Sequence, residues 1–391
     1  MRKVYMDYAA GMPLDPRVFK AMKPYFTENY GNPSSAHSFG ANAKNALMKS
    51  RERVACLVGA EKPEEVIFTS GGTESNNLAI KGVAYRNKEK GNHIITTTIE
   101  HMSVINICKH LQKQGFEISY LPVGKEGMVD PERVKDEIHD KTVMISVMYA
   151  NGEIGTIQSI EEIGRIAHES QVYFHVDAVA AAGKIPINVD GEHIDLLSIS
   201  SNDMYGPKGV GALYIRKGTR IQPVIQGGGQ ERGVRSGTEN IPGIVGMGRA
   251  AEIAKEEMAA EGKRLSQLRD KLIMGVLETI ERSYLNGHPT ERLPNNANLR
   301  FSYIEGESLI LGLDMLGIQV SSGSACTSKT LEPSHVLLAI GLAHEEAHGS
   351  LVFTMGKQNS EEDVDYVLET LPGVVKRLRA ISPLTPKEML R

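Results

Sequence analysis

The sequence predicts an α/β protein: a large unit built on a mostly parallel, seven-stranded type of sheet, followed by a small α+β C-terminal unit. Three observations carry this. Between about residues 50 and 215, short apolar runs alternate with helical patterns of ten or more residues. Strands separated in this way need right-handed crossovers and so pair in parallel. The polar residues of the same region, Thr69-Ser70-Gly71, Asn151, Asp177 and Ser200, fall at the ends of the apolar runs, which is where ligands collect in such sheets. Beyond about residue 255 the order changes to a mixture of short strands and helices.

Taken in order, residues 51–57 read as helix and 65–70 as strand, then 73–85 as helix and 93–97 as strand. Residues 104–114 are helical, 142–149 and 172–177 are apolar strands, and 160–170 form the helix between them. The helical runs have apolar residues three and four apart, and the strands are short and rich in Val, Ile and Phe. Residues 244–282 read as helix, either one long helix or a broken one. Strands near 299–303, 318–322 and 350–355 then alternate with helices near 307–316, 334–340 and 361–378. The large unit is placed at residues 15–255 and the small one at 1–14 with 256–391, the first twenty or so residues packing on the small unit. Internal repeats and low-complexity tracts are absent from the sequence.

Composition narrows the function. Of 391 residues, 24% are charged and 41% hydrophobic, with net charge −4, an ordinary soluble profile. The lack of a basic stripe argues against nucleic acid as the main ligand. The first residues lack an apolar h-region and the chain has no run of 18 apolar residues. These features point to a cytoplasmic protein that does not use a membrane. Three cysteines, Cys56, Cys108 and Cys326, are too few for a disulfide framework or a complete zinc site. Cys56 and Cys108 sit in helical apolar patterns and read as inert core thiols. Cys326 lies in Ser321-Ser-Gly-Ser-Ala-Cys-Thr-Ser-Lys329, a small polar loop with nothing to bury it.

Two segments suggest an anion and a ring. Ser70-Gly-Gly-Thr-Glu-Ser-Asn-Asn77 opens a helix directly after a strand. Converging N–H groups there suit a phosphate, although a glycine turn with Thr73 as N-cap explains the pattern equally well. Asp177 ends a buried strand in Phe174-His-Val-Asp-Ala178, and reads as a partner for a ring nitrogen or as a turn cap. His101, in Ile99-Glu-His-Met-Ser103, is suited to stacking on a flat ring and equally to a structural role.

These fragments together resemble the cysteine desulfurases (NifS/IscS type) that serve iron–sulfur cluster assembly, within the class-V aminotransferase-like, fold-type I enzymes dependent on pyridoxal 5′-phosphate (PLP). The likeness spans nearly the whole chain. It runs through Tyr5-Met-Asp-Tyr-Ala-Ala10, Tyr30-Gly-Asn-Pro-Ser-Ser-Ala-His37, Ala150-Asn-Gly-Glu-Ile-Gly155, Tyr205-Gly-Pro-Lys-Gly209, Gly227-Gly-Gly-Gln-Glu-Arg-Gly-Val-Arg-Ser-Gly-Thr238 and Ser322-Gly-Ser-Ala-Cys-Thr327. The resemblance implies that Gly72, Thr73 and Ser200 hold the cofactor phosphate, with Ser201 beside them. Asp177 would pair with the ring nitrogen, His101 would stack and Asn151 would contact the ring oxygen. Thr238 would reach the phosphate of a neighbouring subunit, implying a homodimer. Cys326 would take sulfur from L-cysteine as a persulfide, and its loop would carry it to a scaffold protein.

Four positions depart from that pattern. Asp203 stands at the Schiff-base lysine and Asn202 at a phosphate-holding histidine. Ala180 replaces a glutamine that contacts the ring oxygen, and Val352 an arginine that clamps the substrate carboxylate. A carboxylate cannot condense with an aldehyde, so PLP would be held noncovalently or weakly. Lys208, five residues on, is a candidate surrogate amine, but the resemblance places a lysine there alongside the Schiff-base lysine, which argues against it. The expected function is therefore an impaired cysteine desulfurase. The alternative is a dimeric binding partner of a cluster scaffold, with sulfide as sulfur source and Cys326 as sulfur acceptor or [2Fe-2S] ligand. Transamination needs the same lysine and is disfavoured.

Overall fold

The computed structural model describes residues 2–323 and 332–390. Cys326 lies outside the described residues. The described strands are β1 (Val4–Tyr5), β2 (Val66–Thr69), β3 (His93–Thr97), β4 (Glu117–Leu121), β5 (Thr142–Met148) and β6 (Tyr173–Asp177). They continue with β7 (Leu196–Ser200), β8 (Gly211–Ile215), β9 (Ser283–Asn286), β10 (Asn296–Phe301), β11 (Ile318–Gln319) and β12 (Ser350–Thr354). A seven-stranded sheet has the order β2-β8-β7-β6-β5-β3-β4. It is parallel except for β8, which runs antiparallel to β2 and β7.

Burial on both faces explains why these strands read as continuous apolar runs. Successive side chains enter different cores, as the two-residue strand period requires. Val66 and Phe68 face the core that holds the helices Ser38–Val58 and Ile241–Thr279. Ile67 between them faces the helices Gly72–Asn87 and Met102–Gln112. Ile95 and Ile145 join the first core, and Ile94 and Met144 the second.

A separate core gathers β10, β12, the C-terminal half of the helix Ile241–Thr279 and the helix Glu361–Ile381. There β12-β10-β9 form an antiparallel sheet. β1 pairs with β11, and Val4 and Met6 join this core. The helix Pro16–Met22, capped by Asp15, instead buries Val18 and Met22 in the large sheet's core. Among the described residues no helix is long and apolar enough to cross a membrane.

Several elements differ from their expected form. The helix read at 51–57 is the end of Ser38–Val58, whose earlier turns carry too much Asn, Lys and Ser to show a clear apolar stripe. β4 was missed because it is an edge strand with polar alternate positions. Cys108 is buried, but Cys56 is exposed on its helix. Its apolar neighbours Val54, Ala55 and Leu57 point inward while it faces out.

One buried ion pair fastens the 226–239 loop to the sheet. Arg51 on the helix Ser38–Val58 meets Glu231 bidentately, with both N···O distances 2.7 Å. The Phe68 N–H on β2 also donates to Glu231 Oε2 at 3.0 Å. Glu231 and Arg232 have φ of 44° and 58°, a conformation costing roughly 1–3 kcal/mol each. The bridge holds that turn in place. Glu231→Ala leaves the Arg51 cation buried without its partner, and should lower unfolding stability by about 3–5 kcal/mol, read as a fall in the urea midpoint.

Candidate active site at the carboxyl edge of the sheet

β2, β3, β5, β6 and β7 run in one direction, so their carboxyl ends meet along one edge. A cavity of about 300 Å³ opens there, a size suited to a compact cofactor. Each strand supplies wall residues immediately after it ends: Gly72 and Thr73 follow β2, His101 follows β3 and Ala150 follows β5. Asp177 and Ala180 come from the end of β6, and Ser200, Asn202 and Asp203 from the end of β7. Asn295, Asn296 and Thr354 close the cavity from the second sheet.

The helix Gly72–Asn87 starts at Gly71, not at Thr73, and no side chain caps it. Gly71 has φ of 148°, a region that favours glycine. The first-turn N–H groups therefore stay open to an anion at the positive end of the helix. A Cβ on Gly72 would lie 2.5 Å from Val179 Cγ2, so the helix can approach the β6 turn only with glycine there. Glu74 in this first turn is neutralised by Arg235 at 2.8 Å, which ties the 226–239 loop to the cradle.

Asp177 is 5% exposed. Its Oδ2 accepts from Asn76 Nδ2 at 2.7 Å and its Oδ1 from the Val179 N–H at 3.1 Å. These bonds fix the carboxylate at the cavity wall. His101 N-caps the helix Met102–Gln112 by accepting from the Ser103 N–H, and its ring also lines the cavity. The capping and lining roles therefore coexist.

Asn151, Ser201, Thr238 and Val352 lie off the main cavity wall. Asn151 Oδ1 accepts from the N–H groups of Glu153 and Ile154, each at 2.9 Å, and Nδ2 donates to Ile99 O. Asn151 lines a second cavity of about 230 Å³, which shares Ala9, His101, Met148 and Gly152 with the first. Val352 lines this second cavity beside Ser321. On β12, Val352 exchanges backbone hydrogen bonds with Ser321, whereas Ala180, Asn202 and Asp203 line the first cavity. Ser201 is buried under the Asn202–Met204 turn, its Oγ 2.1 Å from where a Cβ on Gly206 would lie. Thr238 is exposed.

A model of the aminotransferase class-V family matches residues 4–367. The chain belongs to the class-V aminotransferase family. It is 57% identical over 380 residues to cysteine desulfurase IscS 1 of Archaeoglobus fulgidus, covering 97% of this chain and 99% of that one. A solved NifS-like protein superposes with TM-score 0.90 at 40% identity, covering 96% of this chain and all of the other. The solved SspA in complex with cysteine superposes with TM-score 0.81 at 37% identity, covering 90% and 99%. Class-V aminotransferases depend on PLP, and the IscS-type relatives are cysteine desulfurases.

The residues present fit the noncovalent part of that cofactor's seat. The side-chain oxygens of Asn76, Asn202 and Asn295 are buried at the class-V cavity without a hydrogen-bond partner, and buried polar atoms of this kind call for a polar ligand. The amine of a covalent seat is absent at position 203. There burial raises the Asp203 pKa, while the Lys184 charge and hydrogen bonds from Ser200 and Asn202 lower it.

Asn76 and Lys184 were missed from the sequence. Asn76 sits one helical turn after Gly72 and Thr73, a spacing that puts all three on one face. Lys184 follows Ala180 by four residues and donates to its carbonyl at 3.0 Å. The turn that brings it back to the cavity left no hydropathy signal.

Glu100, beside His101, is fully buried, and burial pushes its pKa up from 4.5 to about 8. The folded protein thus binds this proton more tightly than the unfolded chain. Its stabilising contribution is complete below pH 4.5 and is lost as pH rises to about 8. Glu100→Gln should therefore flatten the decline in urea midpoint across that window.

Proposed function

We propose that this chain is a cytoplasmic sulfur-handling homologue of the cysteine desulfurases, serving iron–sulfur cluster assembly with weakened PLP chemistry. The observation that carries the reading is the paired state of the cavity. Its helix-terminus phosphate cradle and its ring-nitrogen carboxylate are present, while an asparagine stands at a phosphate-holding histidine and an aspartate at the cofactor-binding lysine. When bound, PLP supplies an electron-withdrawing ring that takes up the electron pair released at a substrate carbon.

Each residue then has a role that its surroundings support. The open N–H groups at Gly72 and Thr73, with the Ser200 hydroxyl, bind the phosphate. Asp177, fixed in place by Asn76 and the Val179 N–H, pairs with the ring nitrogen. His101 covers the mouth. Asn151 keeps one amide hydrogen for a ring oxygen after donating to Ile99. Thr238, exposed on the pinned loop, completes the site of a second copy in a homodimer. A scaffold protein receives the sulfur.

The net conversion is L-cysteine plus the Cys326 thiol giving L-alanine plus the Cys326 persulfide, which balances in atoms and electrons. Without a lysine to move the α-proton, turnover should fall by the ~10²–10⁴ that a general base contributes. Anaerobic assay of the full chain with PLP and L-cysteine should show slow alanine release, with sulfur on Cys326. Alanine release equal to that of Cys326→Ala would remove the desulfurase reading.

A second reading is favoured by Val352. It is 2% exposed and places no cation in the second cavity, where His335 is also discouraged from protonation by burial. A cysteine carboxylate loses an interaction of roughly 1.5–3 kcal/mol there. On this reading inorganic sulfide enters the cluster as sulfide, with no change of oxidation state, and the Cys326 thiolate serves as a [2Fe-2S] ligand shared with the scaffold. Asp203→Lys should intensify the visible absorption band seen with added PLP. Adding Val352→Arg to it should then lower KM for cysteine by about tenfold or more. An unchanged KM in the double variant assigns the carboxylate clamp elsewhere.

A further inference from the structure

The cavity holds an amine that the family comparison does not assign. Among the described residues, Lys184 is the one lysine in the main cavity wall. It also lines a narrower adjoining cavity of about 40 Å³, together with Asp203 and Asn295. Lys184 and Asp203 thus form the partition between the two spaces. The Lys184 Nζ donates a hydrogen bond to the carbonyl of Ala180 at 3.0 Å. That bond uses one N–H of a side chain that lines both cavities.

Electrostatics favour a reactive amine at this position. Burial lowers the Lys184 pKa, opposed by the negative charge of Asp203. Burial raises the Asp203 pKa, opposed first by the Lys184 charge, and Asp177 is the other carboxylate facing the pair. Both shifts favour the neutral amine and the neutral acid, which are the forms needed for attack on a carbonyl and for protonation of the leaving oxygen. Lys208 differs. It is exposed, and its Nζ lies 3.7 Å from where a Cβ on Gly11 would be, away from both cavities.

We infer that Lys184 is the amine by which this chain captures the aldehyde of PLP, the task that residue 203 has given up. This rests on the reading above that the cavity seats PLP. In the step, the neutral Lys184 Nζ adds to the aldehyde carbon, forming a C–N bond. The aldehyde oxygen leaves as water, and Asp203 supplies and then recovers the proton. The product is a C=N bond, with no change of oxidation state.

The test uses the full chain with one equivalent of PLP. Borohydride reduction converts the imine to a stable secondary amine, and peptide mapping by mass spectrometry locates the phosphopyridoxyl group. Equilibrium dialysis measures retained PLP in parallel. The expected result is label on Lys184, unchanged in Lys208→Arg and lost in Lys184→Arg together with the visible imine band. Retained PLP with no label on Lys184, or with label that survives Lys184→Arg, overturns the inference and leaves noncovalent seating intact. If the wild-type chain retains no PLP, both the inference and the cofactor reading fall.

Discussion

The parallel pairing of β3, β5, β6 and β7 is the constraint from which the site follows. Their register places Met148 beside Asp177 and Asp177 beside Ser198, so the strand ends stop at nearly one level. Each chain reversal beyond that level delivers a polar residue to a shared cavity. A one-residue slip in β6 would turn Asp177 away from the site and bring an apolar neighbour to it. The Asn76–Asp177 hydrogen bond then couples the helix Gly72–Asn87 to the same edge. The anion cradle and the ring-nitrogen carboxylate are thus held at a fixed separation.

Within that frame, replacing a lysine by Asp203 reverses a charge in a cavity that already contains Asp177. Two carboxylates in a partly desolvated space repel, and both burial and this repulsion raise the Asp203 pKa. Lys184 is the nearby cation that counters them. The surrounding turn is well bonded: the Ser201 N–H donates to Val210 O, the Asp15 N–H to Tyr205 O and the Lys357 N–H to the Tyr205 hydroxyl.

Much of this was legible in the residues. The doubly buried strands declare a parallel sheet, and the polar residues at their ends declare its functional edge. Gly72, Thr73, His101, Asp177, Ala180, Ser200, Asn202 and Asp203 all reach the cavity wall. The edge strand β4 escaped notice because half of its side chains face water. Cys56 was misplaced because hydropathy along a helix does not resolve which side of the stripe a single residue occupies.

The sequence by itself determined the architecture and the family, since both are written in local pattern and ordered motifs. Only the tertiary structure placed Val352 and Asn151 along the adjoining cavity and brought Lys184 to the wall that Asp203 also lines. Those outcomes depend on where a turn returns the chain and which way a strand's alternate residue faces. They are set by packing between elements distant in sequence, and no local spacing encodes them.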